Sequence, residues 1–170
     1  MKILIVYAGK YGTTHAVCEI LKSRFTAAGD TVTISRADAL ESPQSYDALV
    51  LACPLYLGKW IKYFAEYIER YKAHMNDQPV AVCTVGYTLK DGDEKNLNIA
   101  KNASAPLRVY TKPVIEGYFA GRVNMEILDK GDRDVAILAK MKEGDYLDTE
   151  AVLRWADEAR ELLASSQISV

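Results

Sequence analysis

Apolar, β-branched runs alternate with amphipathic stretches along this chain, and this alternation limits the folds open to it. The first run, Lys2–Ala8, is continuously apolar, which is typical of a strand covered on both faces. The stretch that follows, Thr14–Ala28, carries apolar residues at helical spacing. The pattern continues to a C-terminal helix predicted over Thr149–Ala164, for which Asp148 or Thr149 would be the N-cap.

Between these ends, further strands are predicted at Thr31–Arg36, Ala48–Cys53, Pro79–Val85 and Pro113–Phe119. Helices are predicted over Trp60–Lys72, from about Glu94 to Ser104, and over Val135–Lys142, with at most two helical turns in Asp38–Tyr46. This order implies an α/β fold with a parallel five-stranded sheet and helices on both faces, and we expect one domain over residues 1–170. Ligands of such folds bind at the carboxyl ends of the strands, which directs attention to the loops after strands one, three and four.

Composition excludes several classes of function. A net charge of −2 gives no electrostatic case for nucleic acid, and no apolar run approaches the roughly 20 residues that cross a bilayer. The N-terminus does not resemble a signal peptide, so a cytoplasmic protein is expected. The cysteines Cys18, Cys53 and Cys83 are far apart and form no C-x-x-C pair, which argues against metal sites and a disulfide scaffold. We predict that all three are small buried packing residues.

The loop after the first strand, Gly9–Thr14, has the composition of an anion site. Its glycines allow backbone N–H groups to turn inward, the helix N-terminus adds a partial positive charge, and Thr13 and Thr14 offer hydroxyls. The alternative is a simple strand-to-helix turn with a capping threonine. The loop matches neither the ATP-binding P-loop nor G-x-G-x-x-G. A receiver domain is also disfavoured, because Cys53-Pro54 stands where its aspartate would follow the third strand.

Two further loops carry aromatic residues beside glycines. After the third strand, Pro54–Trp60 places two aromatic residues and two leucines in a segment that should be partly exposed, a placement typical of a ligand or partner site. A flat ring would gain roughly 0.5–1.5 kcal/mol for each aromatic contact, and Gly58 tolerates the positive φ of a flipped peptide. After the fourth strand, Tyr87 in Val85–Leu89 could cover such a ring from the opposite side. The alternative is that Leu57 and Trp60 pack into the core at the start of a helix.

Together these loops resemble the flavodoxin family, whose phosphate loop runs roughly T/S-x-T-G-x-T after the first strand. Tyr11–Thr14 matches the end of that loop, the aromatic loops match the two flavin-binding loops of the family, and the likeness spans nearly the whole chain. The resemblance implies a three-layer α/β/α sandwich with strand order 2-1-3-4-5. It also implies noncovalently bound FMN and electron transfer between partner proteins that dock at the exposed flavin edge. The FMN-binding residues that it implies are Gly9, Lys10, Tyr11, Gly12, Thr13, Thr14, Pro54, Leu55, Tyr56, Leu57, Gly58, Trp60, Val85, Gly86, Tyr87, Thr88 and Leu89.

One departure from the family concerns the phosphate loop. Ala8-Gly9 stands where the family supplies hydroxyls, and each missing neutral hydrogen bond is worth about 0.5–1.5 kcal/mol. FMN would then bind more weakly or through backbone N–H groups alone. Lys10 would either compensate by its charge or point to solvent.

A helical insertion after the fifth strand, in Gly121–Lys142, precedes a Trp-bearing last helix in Asp148–Leu163, and in this the chain resembles most the branch of the menaquinone-dependent protoporphyrinogen oxidase. That resemblance implies an alternative function, a quinone-linked protoporphyrinogen dehydrogenase, with Arg108, Lys112 and Arg122 as candidate partners for the propionates. Val123–Lys142 would form a lid or a membrane-touching surface, although its acidic residues would be repelled by anionic lipid. A second alternative is an interaction module that has kept the fold without the flavin.

Overall fold

Five parallel strands form a single sheet in the computed structural model, which describes residues 1–167. They are β1 (Lys2–Tyr7), β2 (Thr31–Arg36), β3 (Ala48–Pro54), β4 (Val80–Gly86) and β5 (Ile115–Ala120). The order is β2-β1-β3-β4-β5, which confirms the predicted topology. Because β1 pairs with β2 on one side and with β3 on the other, the strand order reverses at β1. A crevice is therefore expected at the carboxyl ends of β1 and β3.

Helices cover both faces of the sheet. They are α1 (Thr13–Ala27), α2 (Lys62–Tyr71), α3 (Glu94–Ala103), α4 (Lys130–Leu138) and α5 (Thr149–Ser166). In β1, Ile3 and Ile5 pack in a core cluster with α1 and α5, whereas Leu4 and Val6 pack in a second cluster with α2. Since alternate residues of each central strand enter opposite clusters, the strands are apolar throughout rather than at every second position.

The predicted packing role of the cysteines is confirmed. Cys18, Cys53 and Cys83 are fully buried free thiols within these clusters. Burial raises the pKa of all three, that of Cys83 to about 12, so they remain protonated at neutral pH. Among residues 1–167, the helices do not combine the length and apolar character that a membrane span requires.

An insertion between β5 and α5 departs from the regular alternation. It contains α4 and a small antiparallel ribbon formed by β6 (Arg122–Val123) and β7 (Gly144–Asp145). The helix predicted over Val135–Lys142 was placed too late in the chain. Its N-cap is Asp129, whose carboxylate accepts a hydrogen bond from the backbone N–H of Asp132 at 2.9 Å, and the helix has ended before Lys140, where φ is +53°.

Candidate functional site

A cavity of about 370 Å³ lies at the carboxyl ends of the central strands. Its lining includes most of the residues predicted for the three loops: Gly9, Lys10, Tyr11, Gly12, Thr13, Thr14, Pro54, Leu55, Tyr56, Leu57, Gly58, Val85, Gly86, Tyr87 and Thr88. The volume falls within the range of about 300–1,000 Å³ that is usual for small-molecule sites. Three segments that are separate in sequence therefore meet around one space.

The first loop leaves the N-terminus of α1 open toward this cavity. Gly12 is the N-cap, with φ at +87°, and no side chain caps the helix. A Cβ placed on Gly12 would meet no heavy atom within 4 Å, so the backbone borders open space. The N–H of Gly9 is already used, because it donates to the hydroxyl of Tyr63 at 2.9 Å. The geometry suits an anion held by the remaining backbone amides and the positive end of the helix.

The side chains of Lys10 and Tyr11 bind the insertion. Lys10 Nζ lies 3.0 Å from Oδ2 of Asp129 and 3.0 Å from Oδ2 of Asp132. The hydroxyls of Tyr11 and Tyr56 also donate to the Asp132 carboxylate. Lys10 was expected to compensate for missing hydroxyls or to point to solvent; in the structure its ammonium is paired with two carboxylates.

These contacts displace the pKa values of the groups involved. Hydrogen bonds from Lys10 to Asp132 and Asp129 raise the pKa of that lysine. Burial and the bond to Asp132 raise the pKa of Tyr11 to about 12. Burial acts to raise the pKa of Asp132, but hydrogen bonds from Tyr11, Tyr56 and Lys10 outweigh it, so the pKa lies below the ordinary value. The carboxylate is therefore ionised at neutral pH.

The loop after β3 forms a tight two-residue hairpin. Tyr56 and Lys59 exchange two backbone hydrogen bonds of 2.9 and 3.0 Å, and Leu57 and Gly58 between them have φ values of +48° and +76°. Two consecutive positive φ values are the mark of a type I′ turn. The turn leaves 69% of Leu57 and 42% of Tyr56 exposed at the edge of the cavity. It also delays the start of α2 to Lys62, two residues later than predicted.

Trp60 does not line the cavity. Its ring packs edge-on against Phe64 at 5.3 Å between centroids, and its Nε1–H donates to the buried hydroxyl of Thr84 at 3.2 Å. Because residues 56–59 form the hairpin, Trp60 lies between the hairpin and α2, and its side chain packs against α2 instead of the cavity. Leu89 also lies outside the lining, in the 3₁₀ turn Tyr87–Asp91.

The loop after β4 is held by close packing and by the insertion. A Cβ on Gly86 would lie 3.0 Å from Cβ of Leu55, so only glycine permits the two loops to approach this closely. The Tyr87 ring packs edge-on against Tyr146 at 5.6 Å, and its hydroxyl accepts a hydrogen bond from the backbone N–H of Lys142 at 3.0 Å. The position of Tyr87 therefore depends on residues more than 50 positions away in sequence.

A further wall of the cavity comes mainly from the insertion, with contributions from α3 and from the residue before α2, and it lies outside the three loops predicted to hold the cofactor. The additional lining residues are Ile61, Asn96, Ile99, Gly121, Arg122, Val123, Leu128, Asp132, Val135, Ala136, Ala139 and Met141. The sequence signal available was the set of apolar residues within 123–142, from which a lid or a membrane-touching surface was expected. The structure places α4 beside the cavity, with Ala136 buried and Ile137 and Leu138 exposed.

The three cations considered for substrate carboxylates lie in different places. Arg108 forms a bidentate pair with Glu116. Lys112 lines a polar cleft with His74 and Asp77, away from the loops described above. Arg122 lines the cavity, but its Nε donates to Asp145 at 2.8 Å.

Comparisons with known proteins agree with the topology. Residues 4–149 match the family described as flavodoxin domain, whereas no curated protein matches the chain. The fold is similar to a Streptococcus pneumoniae TIGR4 flavodoxin, with a TM-score of 0.61, 16% identity, and 97% of this chain and 99% of that one covered. It is also similar to oxidised flavodoxin 1 from Bacillus cereus, with a TM-score of 0.63, 11% identity, and coverage of 95% and 98%. A flavone reductase gives a TM-score of 0.63 at 13% identity, over 99% of this chain and 64% of its own length.

Proposed function

The chain belongs to the flavodoxin domain family, and we propose that it binds FMN in the cavity described above and carries electrons between partner proteins. The observation that supports this proposal is the convergence of three loops on one apolar space beside an uncapped helix N-terminus. These loops are the ones that the sequence pattern singles out for a phosphate and a flat ring.

At the phosphate end, the residues present fit the group. A dianionic phosphate would lie against the backbone amides of Tyr11–Thr14, where Gly12 leaves room and the α1 dipole favours negative charge. The Tyr11 hydroxyl donates to Asp132, so the hydroxyls of Thr13 and Thr14 are the side-chain donors of this segment that remain for a phosphate. Ala8 is fully buried and adds no polar contact, so the binding energy depends mainly on the backbone.

At the ring end, the fit rests on apolar walls and two tyrosines. The hairpin around Tyr56 and the turn around Tyr87 both line the cavity. An isoalloxazine bound there would lie beside the backbone of Tyr56–Gly58, with Val85 and Gly86 among the residues below it. Bound flavin supplies one- and two-electron transfer, while the protein binds it, orients it and excludes water from it.

The exposed hairpin is the feature that supports docking of a redox partner protein. Leu57 is a large apolar residue held at the tip with most of its surface in water, next to the half-exposed Tyr56. Solvent-exposed apolar groups beside a ligand cavity commonly mark an interaction surface. A partner bound there would lie close to the edge of the ring.

A second candidate, a quinone-linked flavin-dependent dehydrogenase of protoporphyrinogen, has one observation in its favour. The apolar wall contributed by α4 and its flanks extends the cavity beyond the three flavodoxin loops. One observation counts against it. Of the three cations proposed to bind the propionates, Arg122 alone lines the cavity, and its guanidinium is already paired with Asp145. Flavin reduction by protoporphyrinogen, followed by quinone-dependent reoxidation, would favour this function over the carrier.

The visible spectrum of the purified chain tests the main proposal directly. We expect flavin absorption bands that disappear when the cofactor is stripped and return when FMN is added, with quenching of FMN fluorescence on binding. Protein that shows no flavin absorption and leaves the fluorescence of added FMN unchanged would contradict the proposal. That result would favour the interaction module without flavin.

A further inference from the structure

One buried carboxylate of the insertion binds two of the three loops of the cavity. Asp132 lies in the first turn of α4, and its side chain is 8% exposed. One oxygen accepts from Lys10 and Tyr11 of the first loop, and the other accepts from Tyr56 of the hairpin. These bonds join segments that are 76 to 122 residues apart in sequence. We call residues 123–142 the lid segment.

Other polar contacts also hold the lid segment: the backbone N–H of Lys142 donates to the Tyr87 hydroxyl at 3.0 Å, and that of Asp129 donates to the Tyr11 hydroxyl at 3.3 Å. Asp129 pairs with Lys10, but 55% of each side chain is exposed, and exposed pairs of this kind contribute little to stability. Val135 and Ala136 of α4 and its C-cap Ala139 also line the cavity, but their side chains are apolar and make no hydrogen bonds. Asp132 is the buried residue of α4 at which three side-chain donors of the cavity loops meet, so we expect the position of α4 to depend on it more than on the exposed Asp129–Lys10 pair.

The same carboxylates alter the charge of the first loop. Lys10 contributes one positive charge, while Asp129 and Asp132 together contribute two negative charges within hydrogen-bond distance of its ammonium. The lysine is thus neutralised by the protein and is not available to an incoming anion. The guanidinium of Arg36 also reaches this loop, at the Gly9 carbonyl, but it is paired with Asp38, so a dianion at the adjacent backbone amides would meet side chains with one excess negative charge.

From this arrangement we propose that Asp132 anchors the lid segment and weakens the preference of the cavity for a flavin with a phosphate over the same flavin without one. The preference rests on the FMN binding proposed above; the anchoring does not. Asp132 thereby opposes the helix dipole and backbone amides that attract the phosphate. The net affinity for FMN is the difference between these two effects.

Limited proteolysis of the flavin-free protein tests the anchoring. The lid segment contains four exposed basic residues at which trypsin cleaves, Lys130, Arg133, Lys140 and Lys142. In Asp132→Asn, Lys10 and the two tyrosines lose their ionised acceptor, and cleavage within 130–142 should accelerate by about tenfold over the wild type. Asp134→Asn is the matched control, because it makes the same charge change two residues further along α4 at an exposed position. Equal cleavage rates in the two variants would overturn the anchoring.

Binding of FMN and riboflavin, compared by quenching of flavin fluorescence, tests the preference. Riboflavin lacks the phosphate, so the ratio of its Kd to that of FMN isolates the contribution of the phosphate. We expect Asp132→Asn to increase this ratio by about tenfold and Asp134→Asn to change it much less.

The outcomes separate the two proposals. If no variant binds either flavin, the function proposed above is wrong, and the proteolysis result alone decides whether Asp132 anchors the lid segment. If both flavins bind and the ratio is the same in Asp132→Asn and Asp134→Asn, the function stands and the proposed preference is wrong. An increase of the ratio in Asp132→Asn, together with faster cleavage, supports both parts of the inference.

Discussion

At the scale of single residues, Gly12 is the position on which the phosphate end of the site depends most directly. Its φ of +87° favours glycine, and its missing side chain leaves space where the phosphate is proposed to bind. Gly12→Asp adds backbone strain, bulk and a negative charge. We expect it to weaken FMN binding by at least about a hundredfold, measured as the Kd from fluorescence titration.

Gly12→Asn separates charge from shape in this experiment. Asparagine has the size of aspartate and the same tolerance of positive φ, but it is neutral. FMN should therefore bind the asparagine variant about tenfold more tightly than the aspartate variant, whereas riboflavin should bind the two alike. If Gly12→Asp bound FMN as tightly as the parent protein, the phosphate would have to lie elsewhere.

Trp60 gives a test in which stability and binding are expected to separate. Its indole donates to the hydroxyl of Thr84, which is fully buried, and its ring packs on Phe64. Trp60→Phe removes that donor, so the free energy of unfolding in urea should fall by about 1–3 kcal/mol. Since Trp60 lies outside the cavity lining, the Kd for FMN should change by less than about threefold. A large loss of FMN affinity at unchanged stability would instead assign Trp60 to the ring.

At the scale of elements, the packing of α5 on the sheet depends on a glycine in β5. A Cβ on Gly117 would lie 2.8 Å from two indole atoms of Trp155 and 3.0 Å from the ring of Phe119. Because Trp155 is almost fully buried, it cannot easily move away. Gly117→Ala should lower the free energy of unfolding by about 1–3 kcal/mol.

Gly121→Ala is the control for that substitution. Its added Cβ would find its nearest atoms at 3.7 Å, which is ordinary van der Waals contact. Urea unfolding of the two variants, compared with the parent protein, should show destabilisation at position 117 alone. Equal stability of the two variants would mean that α5 adapts its position to the sheet.

Most elements could be predicted from the sequence because their signals are local. β1 and β3 are continuous apolar runs, and the apolar spacing of α5 with Asp148 as its N-cap gave the start of that helix correctly. The start of α4 was predicted too late in the chain because Gly131, in the first turn of the helix, weakens the helical pattern of the sequence. Asp129, whose carboxylate caps α4, gave the better signal for its start.

The cavity could be predicted only in part, for a physical reason. Each of the three loops can be recognised from a few consecutive residues that follow a predicted strand. The sheet topology then brings the three loops together. Asp132 joins Lys10 and Tyr56 through contacts that depend on how a long insertion folds back, and no local pattern in the sequence specifies this. Trp60 was assigned to the cavity because it belongs to the aromatic loop after the third strand, with core packing as the alternative, and the structure places its ring against Phe64 beside α2.

At the scale of the whole molecule, the two ends of the sheet have different roles. The carboxyl end holds the cavity, with strained or exposed residues such as Leu57. At the amino end, Asp30 precedes β2 with its side chain 1% exposed, and Arg160 of α5 binds it with Nε at 2.6 Å from Oδ2. The same arginine donates to the carbonyl of Ala28, which joins α5 to the end of α1. Substitutions at the amino end should therefore change the free energy of unfolding without changing ligand binding at the carboxyl end.

The Asp30–Arg160 pair predicts how stability depends on pH. Burial acts to raise the pKa of Asp30, but hydrogen bonds from Arg160 and from the nitrogen of Met1 outweigh it, so the pKa is lowered in the folded protein. A lowered pKa means that the contribution to stability is fully present above the unfolded value of about 3.9 and is lost as the pH falls through the folded value.

Asp30→Asn should accordingly lower the free energy of unfolding at pH 7 by about 1–4 kcal/mol, since it leaves Arg160 without its charged partner. The difference between variant and parent should shrink as urea unfolding is repeated toward pH 3 and below, where Asp30 becomes protonated. Asp157→Asn, which breaks an exposed pair with Arg24, is the control and should show little change at any pH. A difference at Asp30 that stayed constant with pH would mean that packing, rather than the charge, holds α5 to the amino end of the sheet.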